Sequence, residues 1–219
     1  MKTIPLLNTT EQFPVSKIFC IGKNYLAHAK EMGGNVPDSP VIFLKPVTAL
    51  NTENNDIIIP SISKMVHHEV EFVLVIGKDG KNIPEKNAAE YIFGYAVGLD
   101  MTLRDIQTSA KKAGLPWTLA KGFDTSAPIS PIILKEMCDE TSFEICCRVN
   151  NDERQHTLTS KMIFSPEQII SYISKYFTLE KGDLIFTGTP EGVSEVHNQD
   201  IIEAELVGFT SIRHQVIFQ

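Results

Sequence analysis

Along most of this chain, short apolar runs alternate with turn residues, and strand-like runs outnumber helical ones. Residues 17–21, 41–44, 69–76, 93–99, 184–186, 201–206 and 212–218 read as strands, and the 69–76 run ends in the turn signal Gly77-Lys78-Asp79-Gly80. Residues 142–149 and 154–158, joined across Asn150-Asn151-Asp152, read as a hairpin. Helical spacing appears in three places. Residues 25–32 form a short helix that Asn24 is placed to cap and Gly33-Gly34 to stop, and a loop at 35–40 follows. Residues 102–113 form a second helix, with Thr102 and Asp105 spaced like a capping box and Gly114 as its stop. Ser165-Pro166-Glu167 opens a third, with Ile169, Ile170, Ile173, Tyr176 and Phe177 along its buried side. Strands and helices do not alternate regularly. The pattern therefore predicts an α+β fold on a large mixed or antiparallel sheet system, not a doubly wound one.

Length and composition narrow the possibilities. A chain of 219 residues without repeats or linkers favours one domain, with residues 1–15 as a short lead-in. A hydrophobic content of 42% supplies a substantial core. The net charge of -7, with no Lys/Arg cluster, argues against a nucleic-acid partner. It does not argue against an anionic substrate, because charge inside a cleft can oppose the net charge. No run approaches ~20 apolar residues, and the first residues have neither secretory nor transit character, so a cytoplasmic protein with no membrane partner is expected. Cys20, Cys138, Cys146 and Cys147 show no metal-binding spacing and read as reduced structural thiols, with the adjacent pair on opposite strand faces.

Several polar residues stand out against this background. Glu69 and Glu71 share one face of a strand whose flanks are strongly apolar. They are either a solvated pair at a strand edge or a buried pair that needs a counter-charge, which a cation supplies. Asp100 lies where the 93–99 strand runs out, either capping the next helix or completing an all-oxygen site suited to magnesium, manganese or calcium. Arg104 and Gln107 share a helix face that is either solvated or turned toward such a site, where the planar guanidinium can grip a carboxylate. His28 and Glu31 are three apart on a short helix, as a surface pair or as an oriented general base beneath a mobile lid. His67 and His68 read as supporting groups. Lys121 follows the apolar approach 115–120 and needs an anion if buried. Thr189, in Gly188-Thr189-Pro190, offers a hydroxyl and backbone N–H groups to a carboxylate.

Five motifs in order bind these residues together. Ile21-Gly22-Lys23-Asn24-Tyr25 running to His28 and Glu31, Phe43-Leu44-Lys45-Pro46, His67-His68-Glu69-Val70-Glu71, Gly98 to Asp105, and Gly188-Thr189-Pro190 with Gly192-Val193 resemble the fumarylacetoacetate hydrolase family. The stretch Gly114 to Lys121 is similar to its small branch of acylpyruvases and oxaloacetate decarboxylases. That resemblance implies a mixed β-roll and, usually, a homodimer. It implies Mg2+ or Mn2+ on Glu69, Glu71 and Asp100, and catalysis by His28, Glu31 and Lys121. It also implies substrate contacts from Arg104, Gln107, Thr189 and Lys45. The activity it implies is carbon–carbon cleavage in a small 2-oxo acid, by acylpyruvate hydrolysis or oxaloacetate decarboxylation to pyruvate. Oxaloacetate tautomerisation and isomerisation or decarboxylation of 2-oxo-dienedioates are the nearest alternatives, and a non-catalytic metal and 2-oxo acid binding module is the alternative from another class. The loop after Glu31 is not diagnostic of any one substrate.

Overall fold

The computed structural model describes residues 2–31, 33, 36–52 and 55–219. The fold is mixed α+β. Among the described residues, the larger of two main sheets runs Ile133–Leu134, Ile92–Leu99, Val70–Ile76, Leu184–Phe186, Ile18–Gly22, Val41–Lys45 in spatial order. Its pairs are antiparallel except where Leu184–Phe186 runs parallel to residues 18–20. The second sheet runs Asp152–Leu158, Glu144–Val149, Ile201–Leu206, Thr210–Phe218, Ile57–Ile59.

Every residue of the Val70–Ile76 strand is buried, because the sheet is covered on both faces. Phe72, Leu74 and Ile76 point into a core shared with Ile145, Cys147, Ile202 and Leu206 of the second sheet and with Ile169, Ile170 and Ile173 of a helix. Val73 and Val75 point the other way, into a core with Cys20, Leu184, Phe186, Ile4 and Phe13. The expected N-terminal lead-in is thus folded structure: Thr3–Pro5 pairs with Gln12–Pro14 and buries Ile4 and Phe13. The site depends on this two-sided burial. Glu69 and Glu71 continue the Val73/Val75 face to its open end, and Asp100 continues the neighbouring strand opposite Glu69, with the Asp100 N–H donating to the Glu69 carbonyl at 2.8 Å.

Four α-helices decorate the sheets among the described residues: α1 (Leu26–Glu31), α2 (Arg104–Ala113), α3 (Thr118–Lys121) and α4 (Pro166–Tyr176). None is long and apolar enough to cross a membrane. Helix α4 opens with a full capping box, Ser165 with Gln168, and Pro at its first turn. The hairpin turn puts Asn150 and Asn151 at φ 52° and 70°, the left-handed pair of a type I′ turn.

Three local expectations fail for identifiable reasons. Thr102 does not cap α2: it belongs to the strand Thr102–Leu103, paired with residues 66–67, and its hydroxyl donates to the Asp100 carbonyl. Asp105 is drawn away to Ser63 Oγ and the Lys64 N–H. Asn24 does not cap α1, because its buried amide holds Phe164 and the Thr187 carbonyl. Tyr176 is 63% exposed, since α4 turns Ile169, Ile170, Ile173 and Ser174 inward; Phe177, also exposed, meets Phe19 edge-on. Gly34 of the expected helix stop and Asn35 at the start of the expected lid loop lie outside the described residues.

Candidate active site

The strand ends, α2, α3 and the turn at 188–189 converge on one cavity. Its walls include His28, Glu69, Glu71, Asp100, Arg104, Gln107, Lys121 and Thr189, eight of the ten site residues read from the sequence. One oxygen each from Glu69, Glu71 and Asp100 lies within 4.8 Å of the others, and all three residues are buried. Three carboxylates this close do not stay ionised together without cations. Lys121 Nζ meets Glu69 Oε2 at 2.7 Å and Asp100 Oδ2 at 2.6 Å. Arg104 pairs with the other Glu69 oxygen and holds the Gln107 carbonyl at 2.7 Å. Burial alone would raise the Glu69 carboxyl, but Lys121 and Arg104 overcome it and hold it far below the usual carboxylate range. The same two carboxylates, Asp100 and Glu69, outweigh burial at Lys121 and keep its ammonium charged.

Glu71 is different. The Gly188 N–H donates to it at 2.8 Å, and burial together with Asp100 and Glu69 pushes its carboxyl well up. A buried carboxylate facing two others, with a backbone donor and, among the described residues, no ion pair but only the longer-range pull of Lys121, fits a hard divalent ion completing the cluster. The donor set is all oxygen, as such ions require. Gly188 is suited to this contact: at φ 100° it takes a conformation that side-chain-bearing residues avoid, and a Cβ there would lie 2.7 Å from Asn24 Cβ.

His28 reaches the cavity from α1. Its Nδ1 lies 3.3 Å from Glu31 Oε2, and Glu31 Oε1 accepts from the Gly192 N–H at 3.2 Å. The Glu31 carboxylate thereby orients the ring. Burial lowers the imidazole below its usual range against the opposing pull of Glu69 and Glu31, so neutral His28 is available as a base near neutrality.

Lys45 lies elsewhere than expected. Its ammonium is enclosed, 2.8 Å from Asp100 Oδ1, and donates to the carbonyls of Ser126, Lys121 and Met101 and to the Ser126 hydroxyl. All its protons are spent holding Asp100 and the backbone around α3, so it stands behind Asp100 and not on the cavity wall.

His67 and His68 keep to the rear as well. His68 is fixed between Gln155 Oε1 at 2.9 Å and Ser194 Oγ at 2.8 Å. Burial and then Arg104 push His67 down to about 4. The hub here is Gln155, which the sequence reading missed. Its carbonyl accepts from the Val70 N–H, and its amide donates to Thr189 Oγ1 and the Pro190 carbonyl. It ties the strand carrying the glutamates to the turn carrying Thr189. The signal was available: Gln155 and Thr157 are polar residues on the inward register of a strand whose neighbours point to solvent. The aromatic wall of Phe43 and Trp117 was also missed, with ring centroids 5.8 Å apart. Neither aromatic carries a charge or a metal-ligand spacing to mark it in the sequence.

The four cysteines are free; three are buried and Cys138 is partly so. Cys147 faces the main core, as its alternation with Cys146 required.

Comparison with known proteins agrees with this geometry. The sequence model for the fumarylacetoacetate (FAA) hydrolase C-terminal family matches residues 17–217. The mitochondrial oxaloacetate tautomerase of Mus musculus is 48% identical over 200 residues, covering 91% of this chain and 90% of that protein. Its Arabidopsis thaliana counterpart is 48% identical over 202 residues, covering 92% and 91%. Among solved structures, fumarylpyruvate hydrolase from Pseudomonas aeruginosa, in complex with Mn2+ and pyruvate, superposes with a TM-score of 0.96 at 36% identity, covering 100% of this chain and 96% of that one. The 2-hydroxyhepta-2,4-diene-1,7-dioate isomerase from Mycobacterium marinum gives 0.83 at 37% identity, covering 94% and 76%. The chain belongs to the fumarylacetoacetate hydrolase family, whose members are enzymes, and carries a divalent-metal site.

Proposed function

We propose that this member of the fumarylacetoacetate hydrolase family cleaves the C3–C4 bond of small 2-oxo acids, by acylpyruvate hydrolysis, oxaloacetate decarboxylation or both, and yields pyruvate. The observation that carries the reading is the buried carboxylate cluster with the His28–Glu31 pair on the same cavity. A Mg2+ or Mn2+ ion on Glu69, Glu71 and Asp100 would supply Lewis acidity where the enolate charge develops. The remaining work belongs to side chains. Arg104, Gln107 and Thr189 orient the substrate carboxylate. For an acylpyruvate, neutral His28, aligned by Glu31, takes a proton from water as its oxygen attacks C4. The Lys121 ammonium faces the oxyanion so formed. The C3–C4 bond then breaks with its electron pair left on C3 as an enolate, a carboxylic acid departs, and protonation at C3 gives pyruvate. Oxaloacetate reaches the same enolate by losing carbon dioxide, with no water attack. Proton movement at C3 alone is tautomerisation, the activity named for the mouse and Arabidopsis relatives.

A single domain acting as a homodimer is part of the same reading, as is a cytoplasmic location. The tautomerase relatives are named mitochondrial, so cell fractionation is the measurement for compartment. The deciding assay supplies Mg2+ or Mn2+ and tests acylpyruvates, oxaloacetate and dienedioates. Glu69→Ala should abolish turnover of every substrate, and His28→Ala should reduce acylpyruvate hydrolysis more than decarboxylation. Full activity after thorough chelation would overturn the metal role. Unaltered hydrolysis in His28→Ala would overturn the base assignment, and ligand binding without turnover would leave a binding module.

A further inference from the structure

Gln155 is buried behind the cavity wall, and backbone groups fix both ends of its amide. The Val70 N–H donates to Oε1 at 3.0 Å, and Nε2 donates to the Pro190 carbonyl at 2.9 Å. A backbone N–H can only donate and a carbonyl can only accept, so the amide oxygen and nitrogen cannot exchange places. Turned over, the amide would set donor against donor at Val70 and acceptor against acceptor at Pro190. Its other two valences are used as well. Oε1 faces His68 Nδ1 at 2.9 Å, which places a proton on Nδ1; the Cys147 sulfur, at 3.7 Å, is the weaker neighbour of that nitrogen. In the neutral ring Nε2 then accepts from the Ser194 hydroxyl at 2.8 Å. The second amide proton goes to Thr189 Oγ1 at 2.8 Å.

Thr189 is where this chain of groups meets the cavity, whose wall it joins. Its oxygen accepts from Gln155, and among the described residues its own proton has no acceptor. The Pro190 carbonyl, the acceptor next along the chain, is taken by Gln155. The turn itself is pinned from the other side, where the Gly188 N–H donates to Glu71. From this arrangement we infer that Gln155 is a positioning residue: by donating to the Thr189 hydroxyl it commits that hydroxyl's proton to the cavity, where it donates to an oxygen of the bound anion. Ser194, His68, Gln155 and Thr189 then form one directional chain, each donating to the next, and such a chain strengthens its last donor. The donor is set before the ligand arrives, so binding does not have to reorient it. The inference rests on the functional reading in one respect, that Thr189 faces the bound molecule.

The test is a double-mutant cycle on binding, so it does not depend on turnover. Pyruvate is titrated calorimetrically into the Mn2+-loaded protein, with the Mn2+ affinity and urea stability of each variant measured alongside. Thr189→Val keeps the shape of the side chain and removes the hydroxyl, and it should weaken pyruvate binding by about tenfold or more. Gln155→Met should weaken binding severalfold in the wild-type background but by less than about twofold in the Thr189→Val background, where no proton is left to aim. Thr189→Ser, which keeps a hydroxyl, should restore the sensitivity to Gln155→Met. A Gln155 that merely braces the fold would weaken binding by the same factor in every background. That outcome, or wild-type affinity in Thr189→Val, would overturn the inference. Should Gln155→Met not fold, NMR of the Mg2+-loaded wild-type protein with isotope-labelled histidine supplies a second test. His68, assigned by the loss of its signal in His68→Gln, should carry a proton on Nδ1. A ring protonated on Nε2 alone would reverse the chain and overturn the inference. If the cycle behaves as expected while no 2-oxo acid is turned over, the functional proposal fails and the positioning role stands.

Discussion

At the scale of single residues, Glu71 separates metal chemistry from folding. Glu69 and Asp100 each face cations of the protein itself, but Glu71 has a backbone donor and two like-charged neighbours. In the metal-free protein its charge is a burden, eased only in part by the pull of Lys121 and by a tighter hold on a proton, which an added cation relieves. Glu71→Gln keeps the size and the acceptor for the Gly188 N–H and removes the charge. The variant should lose Mn2+ affinity by ~100-fold or more, beyond what outer-shell changes cost, as read by titration with Mn2+ and electron paramagnetic resonance. In chelator its stability to urea should rise, by on the order of 1 kcal/mol. A fall in metal-free stability would show that the charge is compensated in a way this geometry does not contain. The glutamates were legible in the sequence because period two put them on one face of an otherwise apolar strand. Asp100 was legible only as a strand end, and its partnership with Glu69 came from the register of two strands about 30 residues apart. Lys45 shows the same limit: a lysine beside a site can face the substrate or the back of a site carboxylate, and the fold sets it against Asp100.

Among the elements, those with a period of their own were readable. The Val70–Ile76 and Ile92–Leu99 strands, the hairpin and α4 carry alternation, turn or capping signals in their own residues. Two-residue strands such as Val66–His67, Thr102–Leu103 and Ala127–Pro128 do not, because the partner they pair with defines them. Thr102 shows the competition: a sound capping residue by sequence, it is recruited by a strand partner instead. The hairpin carries a test of its own. His156 on the Asp152–Leu158 strand meets Glu144, on the paired strand, and Glu153 at 3.2 Å. The hydrogen bond to Glu144, opposed by a little burial and joined by Glu153, raises its pKa above 6.5. A raised histidine value means the folded hairpin binds the proton more tightly than the unfolded chain. The contribution is therefore complete below 6.5 and is lost as pH rises through the folded value. All three groups are largely exposed, so the effect is below about 1 kcal/mol. The melting temperature of wild type should exceed that of His156→Gln near pH 5.5 and converge with it by pH 8.5; a gap that widens with pH would refute the pairing.

For the whole molecule, the two-sided burial of the larger sheet determines how far metal binding is felt. The three carboxylates proposed to hold the ion stand at the ends of Val70–Ile76 and Ile92–Leu99, adjacent strands whose residues fill both cores. Opening the site therefore means parting the strands that hold those cores together. A ligand bound to such a unit stabilises the global fold, not merely a loop. At 100 times its dissociation constant an ion adds ~2.7 kcal/mol through linkage. For a chain of this size that corresponds to roughly 5–11 °C in melting temperature. Mn2+ should give that rise in wild type and almost none in Glu71→Gln. Glu31→Ala should retain it, because among the described residues Glu31 meets His28 and Gly192 and not the three proposed ligands. Scanning calorimetry with Mn2+ against chelator makes the comparison. A wild-type shift near zero at saturating metal would mean the ion binds folded and unfolded chains alike. A shift lost in Glu31→Ala would mean that α1 is part of the metal site, and not only the bearer of the proposed base.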